Sequence, residues 1–476
     1  MIKLRAHEMY PVNIDVVEAI KTSNHEDLMG SFIRGQSFSY KDPAGGNNLL
    51  HIAAENNNQL ATRAICVFGA TLELWKQKNH AGKLPVELTE DSNIKADLMS
   101  ISTSRSVTNH HTHQNKLLIE KRLKEPSSSH KVVLSLDGGG LRIVLQSAIL
   151  IEIERQLGEP LRQHVHWIGG TSCGGLMAGT MAVGIDLCDA RKAFILTRKR
   201  IFCGNSNMVP KHRATGIESV LQEVMGQKTL LADLKAHKIV ITTSKCDYAP
   251  IQLVLLRSYA PRLQPKEFEQ LGFLNPAKVL LWKAMRSTSA APVYFPSFHG
   301  LVDGALFCNN PCIQLLTEFQ KLKKIENYRG VKNTDEIGCV ISVGTGIEPS
   351  VALKGIELNV ANALDIGGNF REIIATGKNF FNLFMYQCTT SHNVHVGESQ
   401  EWAHSMNAPF FRFSPKLSSS FELDNCSVEN LINSMFENEV YIRTQIQSEI
   451  AEVVKLLKSM PKNQVPCEYK SIVKFK

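Results

Sequence analysis

Three short stretches carry residue types that could do chemistry. "GGTSCGG" (169–175) sets Ser172 inside Gly170-Thr171-Ser172-Cys173-Gly174, a G-x-S-x-G pentapeptide. In that pattern a strand reverses directly into a helix and exposes the serine, while small neighbours let backbone pass closely. The helix N-terminus then favours a developing alkoxide. The same letters also suit a small-residue bend with no chemistry, and Cys173 reads either as a rival nucleophile or as a packed thiol. "LSLDGGGLR" (134–142) ends an apolar run in Gly138, Gly139 and Gly140. Unpaired N–H groups with no Cβ in the way form an anion pocket, which in a hydrolase would hold the oxyanion of a tetrahedral intermediate. A nucleotide-binding loop is the competing reading, although Ile143 stands where its third glycine belongs. "AAPVYFPSFHGLVDGALFCNNPC" (290–312) puts Asp303, followed by Gly304 and Ala305, at the end of a short apolar strand. An Asp-Gly turn without chemistry is the bland reading of those residues.

The elements that must position these groups alternate strand and helix from Lys131 onward. "KVVLSL", "VHWIGG", "HKIVITTSKCD" and "EIGCVISVGTG" read as short buried strands that run into polar or glycine-rich loops. "RIVLQSAILIEIERQL" has the spacing of a helix ended by Gly158. This order predicts an α/β fold with a mainly parallel sheet and a site at the carboxyl ends of its strands.

Residues 1–95 read differently. Gly46-Asn47-Asn48-Leu49-Leu50-His51-Ile52-Ala53-Ala54 and Gly82-Lys83-Leu84-Pro85-Val86 open two related stretches at close to the roughly 33-residue ankyrin period. An unrelated helical hairpin is the alternative. Two or three repeats need capping or docking to be stable. Residues 96–130 are polar and rich in Ser and Thr, which predicts a linker with a short helix at "KLLIEKRL". His110, His111 and His113 in that tract read as solvated rather than as metal ligands.

Composition narrows the function classes. The chain has 476 residues, 43% hydrophobic and 21% charged, which excludes a fibrous or disordered protein. Its net charge of +8 suits an anionic membrane surface or nucleic acid without choosing between them. No basic run marks a nucleic-acid footprint, so none is expected as a partner. No apolar stretch is long enough for a membrane span and the N-terminus lacks a signal-peptide core. The eleven cysteines are scattered, which predicts a reducing, cytoplasmic setting. Cys308 and Cys312 lack a second pair for zinc, and no calcium-ligand loop is visible, so no metal or other cofactor is expected. "NFFNLFMY" (379–386) reads equally as an interfacial membrane insertion or a buried helix face. "AEVVKLLKSMPK" (451–462) reads as an ordinary helix or as a basic amphipathic target for a calmodulin-like partner.

Together the motifs resemble a known family. Asp137-Gly138-Gly139-Gly140-x-Arg142, Gly170-x-Ser172-x-Gly174, Thr288-Ser289-Ala290-Ala291-Pro292-x-Tyr294-Phe295 and Asp303-Gly304-Ala305 with Asn309-Asn310-Pro311 occur in the order of the patatin-like lipid acyl hydrolases. With the ankyrin-like start, the chain resembles the group VI calcium-independent phospholipases A2. It departs in its few repeats, at Ile143, where close relatives carry glycine, and at Cys173, where threonine is common. The resemblance implies a three-layer sandwich over 131–325, with 326–476 packing on it. It implies a Ser172–Asp303 dyad without a catalytic histidine, and an oxyanion hole at Gly138, Gly139 and Gly140 with Arg142 close by. It also implies a glycerophospholipid substrate at a membrane surface, peripheral membrane association and cleavage through an acyl-enzyme. A homodimer is a further expectation. The rival readings are a triad α/β-hydrolase using His392, His395 or His404, a transacylase, and an ankyrin adaptor with a decayed hydrolase.

Overall fold

The computed structural model describes residues 4–5, 10, 14–103, 113–202, 204, 210–350, 383, 386–391, 394–465 and 473–474. Its strands are β1 (Leu4–Arg5), β2 (His130–Leu136), β3 (Trp167–Thr171), β4 (Lys238–Lys245), β5 (Gln252–Arg257), β6 (Leu301–Asp303), β7 (Glu336–Val343), β8 (Phe410–Phe413) and β9 (Val473–Lys474). β1 and β9 form a small parallel pair, while β2 to β8 build the main sheet in the order β5-β4-β3-β2-β7-β8. The pairs β2–β3, β2–β7, β3–β4 and β7–β8 are parallel; β5 and β6 run antiparallel to β4.

The strands carry apolar residues on both faces because both are covered. Val132, Leu134, Leu136, Ile168, Ile239, Ile241, Ile341 and Phe411 face one core. Val133, Trp167, Val240, Val340 and Phe410 face the other, against Leu315, Leu316 and Phe319 of the helix Cys312–Tyr328. This is the expected three-layer α/β arrangement. β7 and β8 come from beyond residue 325, so the C-terminal part is built into the sheet rather than laid upon it.

The N-terminal region is all helical. Helices Val16–Lys21 and His25–Arg34, then Leu49–Glu55 and Gln59–Phe68, form successive pairs, followed by Ser92–Ser102. Gly46 and Gly82 both adopt left-handed backbone, with φ of 71° and 75°, at equivalent turns. The two turns are tied by the backbone bond from His80 to the Gly45 carbonyl (3.0 Å) and by the His51 ring on the Lys83 carbonyl (2.9 Å). So short a stack is stabilised by docking. Arg63 bridges Asp97 at 2.7 Å and Asn433 at 2.8 Å on the helix Val428–Thr444. Arg198, on the helix Leu187–Ile201, is fully buried and pairs with Glu26 at 3.0 Å.

Of the linker with a short helix expected over 96–130, residues 104–112, His110 and His111 among them, lie outside the described set; the rest is structured, and a helix is present at the expected place. The helix Ser92–Ser102 continues the N-terminal stack. The helix His113–Lys124 lies across the sheet's edge, where the buried Asn115 side chain acts as a substitute strand. Its amide donates to the Phe410 carbonyl (2.9 Å) and its oxygen accepts from the Phe410 N–H (2.8 Å). The edge strand β8 is thereby capped. Asn115→Ala strands two buried backbone groups, each worth about 1–3 kcal/mol when unsatisfied. Urea unfolding is expected to show a loss of roughly 2–4 kcal/mol.

Candidate active site

The geometry of the site is set by β4. Along one edge it pairs with β5. Along the other, Thr242 pairs with Thr171, the last residue of β3, and the next residue, Thr243, pairs with Asp303, the last residue of β6. Residue 172 leaves β3 at the level where Asp303 enters. Two residues distant in sequence therefore meet at the carboxyl end of the sheet, where Ser172 and Asp303 line one cleft and the serine hydroxyl is near enough to the Asp303 carboxyl to favour its charged form.

Ser172 is held in the left-handed region at φ 53°, ψ −124°, between β3 and the helix Cys173–Ala182. A non-glycine residue there is strained, and surrounding structure must over-determine it. Two observations identify what does so. Thr288, ending the helix Leu281–Thr288, accepts the Ser172 N–H (2.8 Å) and donates to the Thr242 carbonyl (2.7 Å). The flanking glycines permit the fold-back: a Cβ on Gly170 would stand 2.4 Å from the Gly174 carbonyl oxygen, and one on Gly174 would stand 2.2 Å from that of Leu136. Gly304 has the same reason, because its Cβ would lie 2.5 Å from the Thr242 carbonyl oxygen. Thr288 is a functional residue whose part was hidden in the sequence; only its place in the TSAAP motif marked it.

Asp303 is almost wholly buried, and one of its oxygens accepts the Ala305 N–H at 2.9 Å. Burial pushes its carboxyl up to about 7, against the downward pull of the Ser172 and Ala305 hydrogen bonds. That is a value suited to a general base near neutral pH. Cys173 lies in the opposite regime. Burial raises its thiol to about 12, which leaves it protonated and packed rather than nucleophilic. Cys308 and Cys312 are buried in the same way, and no group of three or more metal-ligating side chains occurs among the described residues.

The glycine loop divides its labour. Gly138 does not face the site with a free donor: its N–H bonds the Asn309 carbonyl (3.1 Å), and its carbonyl accepts from Thr345 (2.8 Å) and Asn309 (3.2 Å). Gly139 and Gly140 line the cleft beside Ser172, and among the described residues neither N–H meets a backbone carbonyl. Gly140 needs its left-handed φ of 57°, and a Cβ there would stand 2.4 Å from the Leu423 carbonyl oxygen. Arg142, expected beside the oxyanion, is turned away from it. The buried guanidinium grips the Gly139 carbonyl (3.3 Å), the Thr389 carbonyl (3.3 Å) and Glu348 (2.5 Å), so it braces the loop from behind. Asp137 is an anchor too, held by Arg412 of β8 at 2.6 and 3.1 Å and by Asn310 at 2.9 Å. Arg412 was missed in sequence; its only signal is one cation inside the aromatic "FFRF".

No histidine lines the cleft among the described residues. His404 is buried against Asn115 (3.2 Å) and His395 pairs with Glu398 on the surface (3.0 Å), while His392 lies outside the described set. His212 has its Nε2 bonded to Asp424 at 2.8 Å and packs against the rings of Tyr294 and Phe295, which line the cleft. The cleft itself is open to solvent and walled by apolar side chains such as Leu141, Ile143, Leu176, Phe194 and Phe202. The arrangement can accept an acyl ester, attack it from Ser172 and hold the resulting oxyanion.

Comparison with known proteins finds matches over the stretch that holds these residues. Residues 134–316 match the patatin-like phospholipase family model. This stretch is similar to the patatin-like phospholipases. The chain is 29% identical to the intracellular phospholipase A2 of Caenorhabditis elegans, covering 68% of this chain and 29% of that protein. It is 28% identical to the mouse 85/88 kDa calcium-independent phospholipase A2, covering 76% and 44%. Over 51% of this chain it is 28% identical to a cGAMP-activated phospholipase of Pseudomonas aeruginosa. The chain thus spans less than half the length of the worm and mouse relatives.

Two further expectations, outside the cleft, meet the structure. The apolar residues Val453, Val454, Leu456 and Leu457 of "AEVVKLLKSMPK" are buried within the protein, so the helix Gln447–Ser459 has no apolar face left for a calmodulin-like partner. Of "NFFNLFMY", only Leu383 and Tyr386 have described side chains, both exposed; the rest, Phe380 and Phe381 included, lies outside the described residues. Among the described residues no helix is long and apolar enough to cross a membrane.

Asp303 carries a testable cost. Its folded pKa lies above the ordinary carboxylate value, so the folded protein binds the extra proton. Stability from this group is present below about pH 4 and is lost as pH rises towards 7. Asp303→Asn keeps the Ala305 bond and removes the buried charge. Urea midpoints are expected to show the variant more stable than wild type at pH 8, by on the order of 2–4 kcal/mol, and the gap shrinking at pH 5.

Proposed function

We propose that the chain is a calcium-independent lipid acyl hydrolase acting on fatty-acyl esters of glycerophospholipids, of phospholipase A2 or lysophospholipase type. The observation that carries the reading is the strained Ser172 brought by strand register beside a buried carboxylate, Asp303, with both lining one apolar cleft. The names of the relatives point to the same substrate class.

In the proposed cycle Ser172 Oγ attacks the ester carbonyl and Asp303 takes its proton. The Gly139 and Gly140 N–H groups receive the negative oxygen, with Arg142 fixing the loop that carries them. Asp303 then gives the proton to the departing glycerol oxygen, leaving an acyl-serine. Water attacks the acyl-serine with Asp303 again as base, which releases the fatty acid and restores Ser172. The charge is held by backbone donors, so the cycle has no step for calcium. The substrate is drawn from a membrane surface by peripheral association, and the cleft takes one acyl chain.

The test is hydrolysis of defined mixed-chain phospholipid vesicles with both products identified. Wild type is expected to release fatty acid and lysophospholipid at an unchanged rate in excess chelator. Ser172→Ala is expected to fall by at least about a thousandfold. A requirement for added calcium, or turnover surviving in Ser172→Ala, contradicts the proposal.

A further inference from the structure

We propose that Ile143 selects among acyl chains by the shape of their first carbons, those next to the ester carbonyl. The inference rests on the acyl-hydrolase reading and adds to it a determinant of substrate choice.

Three constraints place the start of the chain. The carbonyl carbon bonds Ser172 Oγ, and its oxygen points at the Gly139 and Gly140 N–H groups. Carbons 2 and 3 must then leave between the walls that continue from those two elements. The cleft lining contains those walls: Leu141 and Ile143 follow the glycines, and Cys173 and Leu176 follow the nucleophile. Ile143 is 2% exposed and begins the helix Ile143–Leu157. It contributes a side chain branched at Cβ, which in a helix has essentially one rotamer.

The wall cannot retreat. Its preceding residue, Arg142, is gripped by Gly139, Thr389 and Glu348. Two residues on, the Leu145 carbonyl accepts from Asn438 at 3.1 Å on the helix Val428–Thr444. A stiff wall beside the reacting carbon discriminates by shape, and a single methyl or methylene in such a pocket changes kcat/KM by about 10–200-fold. Phe194 and Ile201 line the cleft from the helix Leu187–Ile201, and Ile217 lines it from the helix Ala214–Met225. These are separate elements, available to carbons further along the chain.

The experiment uses the full chain and three soluble p-nitrophenyl esters: butyrate, 2-methylbutyrate and decanoate. Ile143→Ala is expected to raise the 2-methylbutyrate-to-butyrate ratio of kcat/KM by about tenfold. Ile143→Val, which removes one methyl and keeps the branched rotamer, is expected to move the ratio the same way by a few-fold, and it decides the matter if the alanine variant does not fold. Phe194→Ala is expected to shift the decanoate-to-butyrate ratio instead. An unchanged branching ratio in the folded Ile143 variants overturns the proposal, as does an equal shift in Phe194→Ala. A wild type inert towards all three esters defeats the acyl-hydrolase reading itself, and so is distinguishable from failure of the role given to Ile143.

Discussion

One strand register holds the site together. β4 pairs residue by residue with β3 up to Thr171 and then with β6 from Asp303, so adjacent positions on a single edge bring Ser172 and Asp303 together. Everything else around them maintains that adjacency. The Thr288 hydroxyl ties the serine's backbone to the same strand, at the Thr242 carbonyl. Thr171 and Thr242 share a further bond at 2.7 Å through their hydroxyls. A one-residue slip of β4 would send its side chains to opposite faces and separate the pair. A buried sheet, covered on both faces, is what makes such a slip costly.

Two aspartates at strand ends show how environment assigns roles. Asp137 follows β2 and is clasped by Arg412 and Asn310, so its oxygens are occupied with holding the glycine loop to β8 and to Asn310, whose own side chain accepts the Cys312 N–H at the start of the helix Cys312–Tyr328. Asp303 ends β6, and among the described residues its side chain accepts the Ala305 N–H, with Ser172 beside it and no cation paired to it. A buried carboxylate with no cation beside it resists ionisation, and that resistance is what makes it a competent base near neutrality. The same division runs through the cations. Arg142, Arg198 and Arg412 are all largely buried and all engaged in bracing, which in the proposed cycle leaves the oxyanion to backbone donors.

The sequence made the local motifs legible and the long-range bracing illegible. Ser172, Asp303 and the glycine run could be singled out because their chemistry depends on close neighbours: small residues around an elbow, a turn after a strand. Gly138 and Arg142 were misplaced because their orientation depends on Asn309, Glu348 and Thr389, partners far along the chain that no local pattern names. The short helix at "KLLIEKRL" was legible within His113–Lys124, but its docking was not, because Asn115 is fixed by Phe410 nearly three hundred positions away. The apolar periodicity of "AEVVKLLKSMPK" was correctly visible, but periodicity cannot say whether a face meets a partner or the protein's own core. β8 escaped notice because a four-residue strand with an arginine in it satisfies no alternation rule on its own.

The account stands or falls on Asp303 acting as the base without a histidine. The most direct measurement is the rate at which a fluorophosphonate labels Ser172 across pH 5 to 9, in wild type, Asp303→Asn and His212→Asn. The account predicts a wild-type rate that rises about tenfold per pH unit and levels off near pH 7. That rise should be lost in Asp303→Asn and retained in His212→Asn. A rise that persists without the Asp303 carboxylate, or disappears with the His212 imidazole, would contradict it.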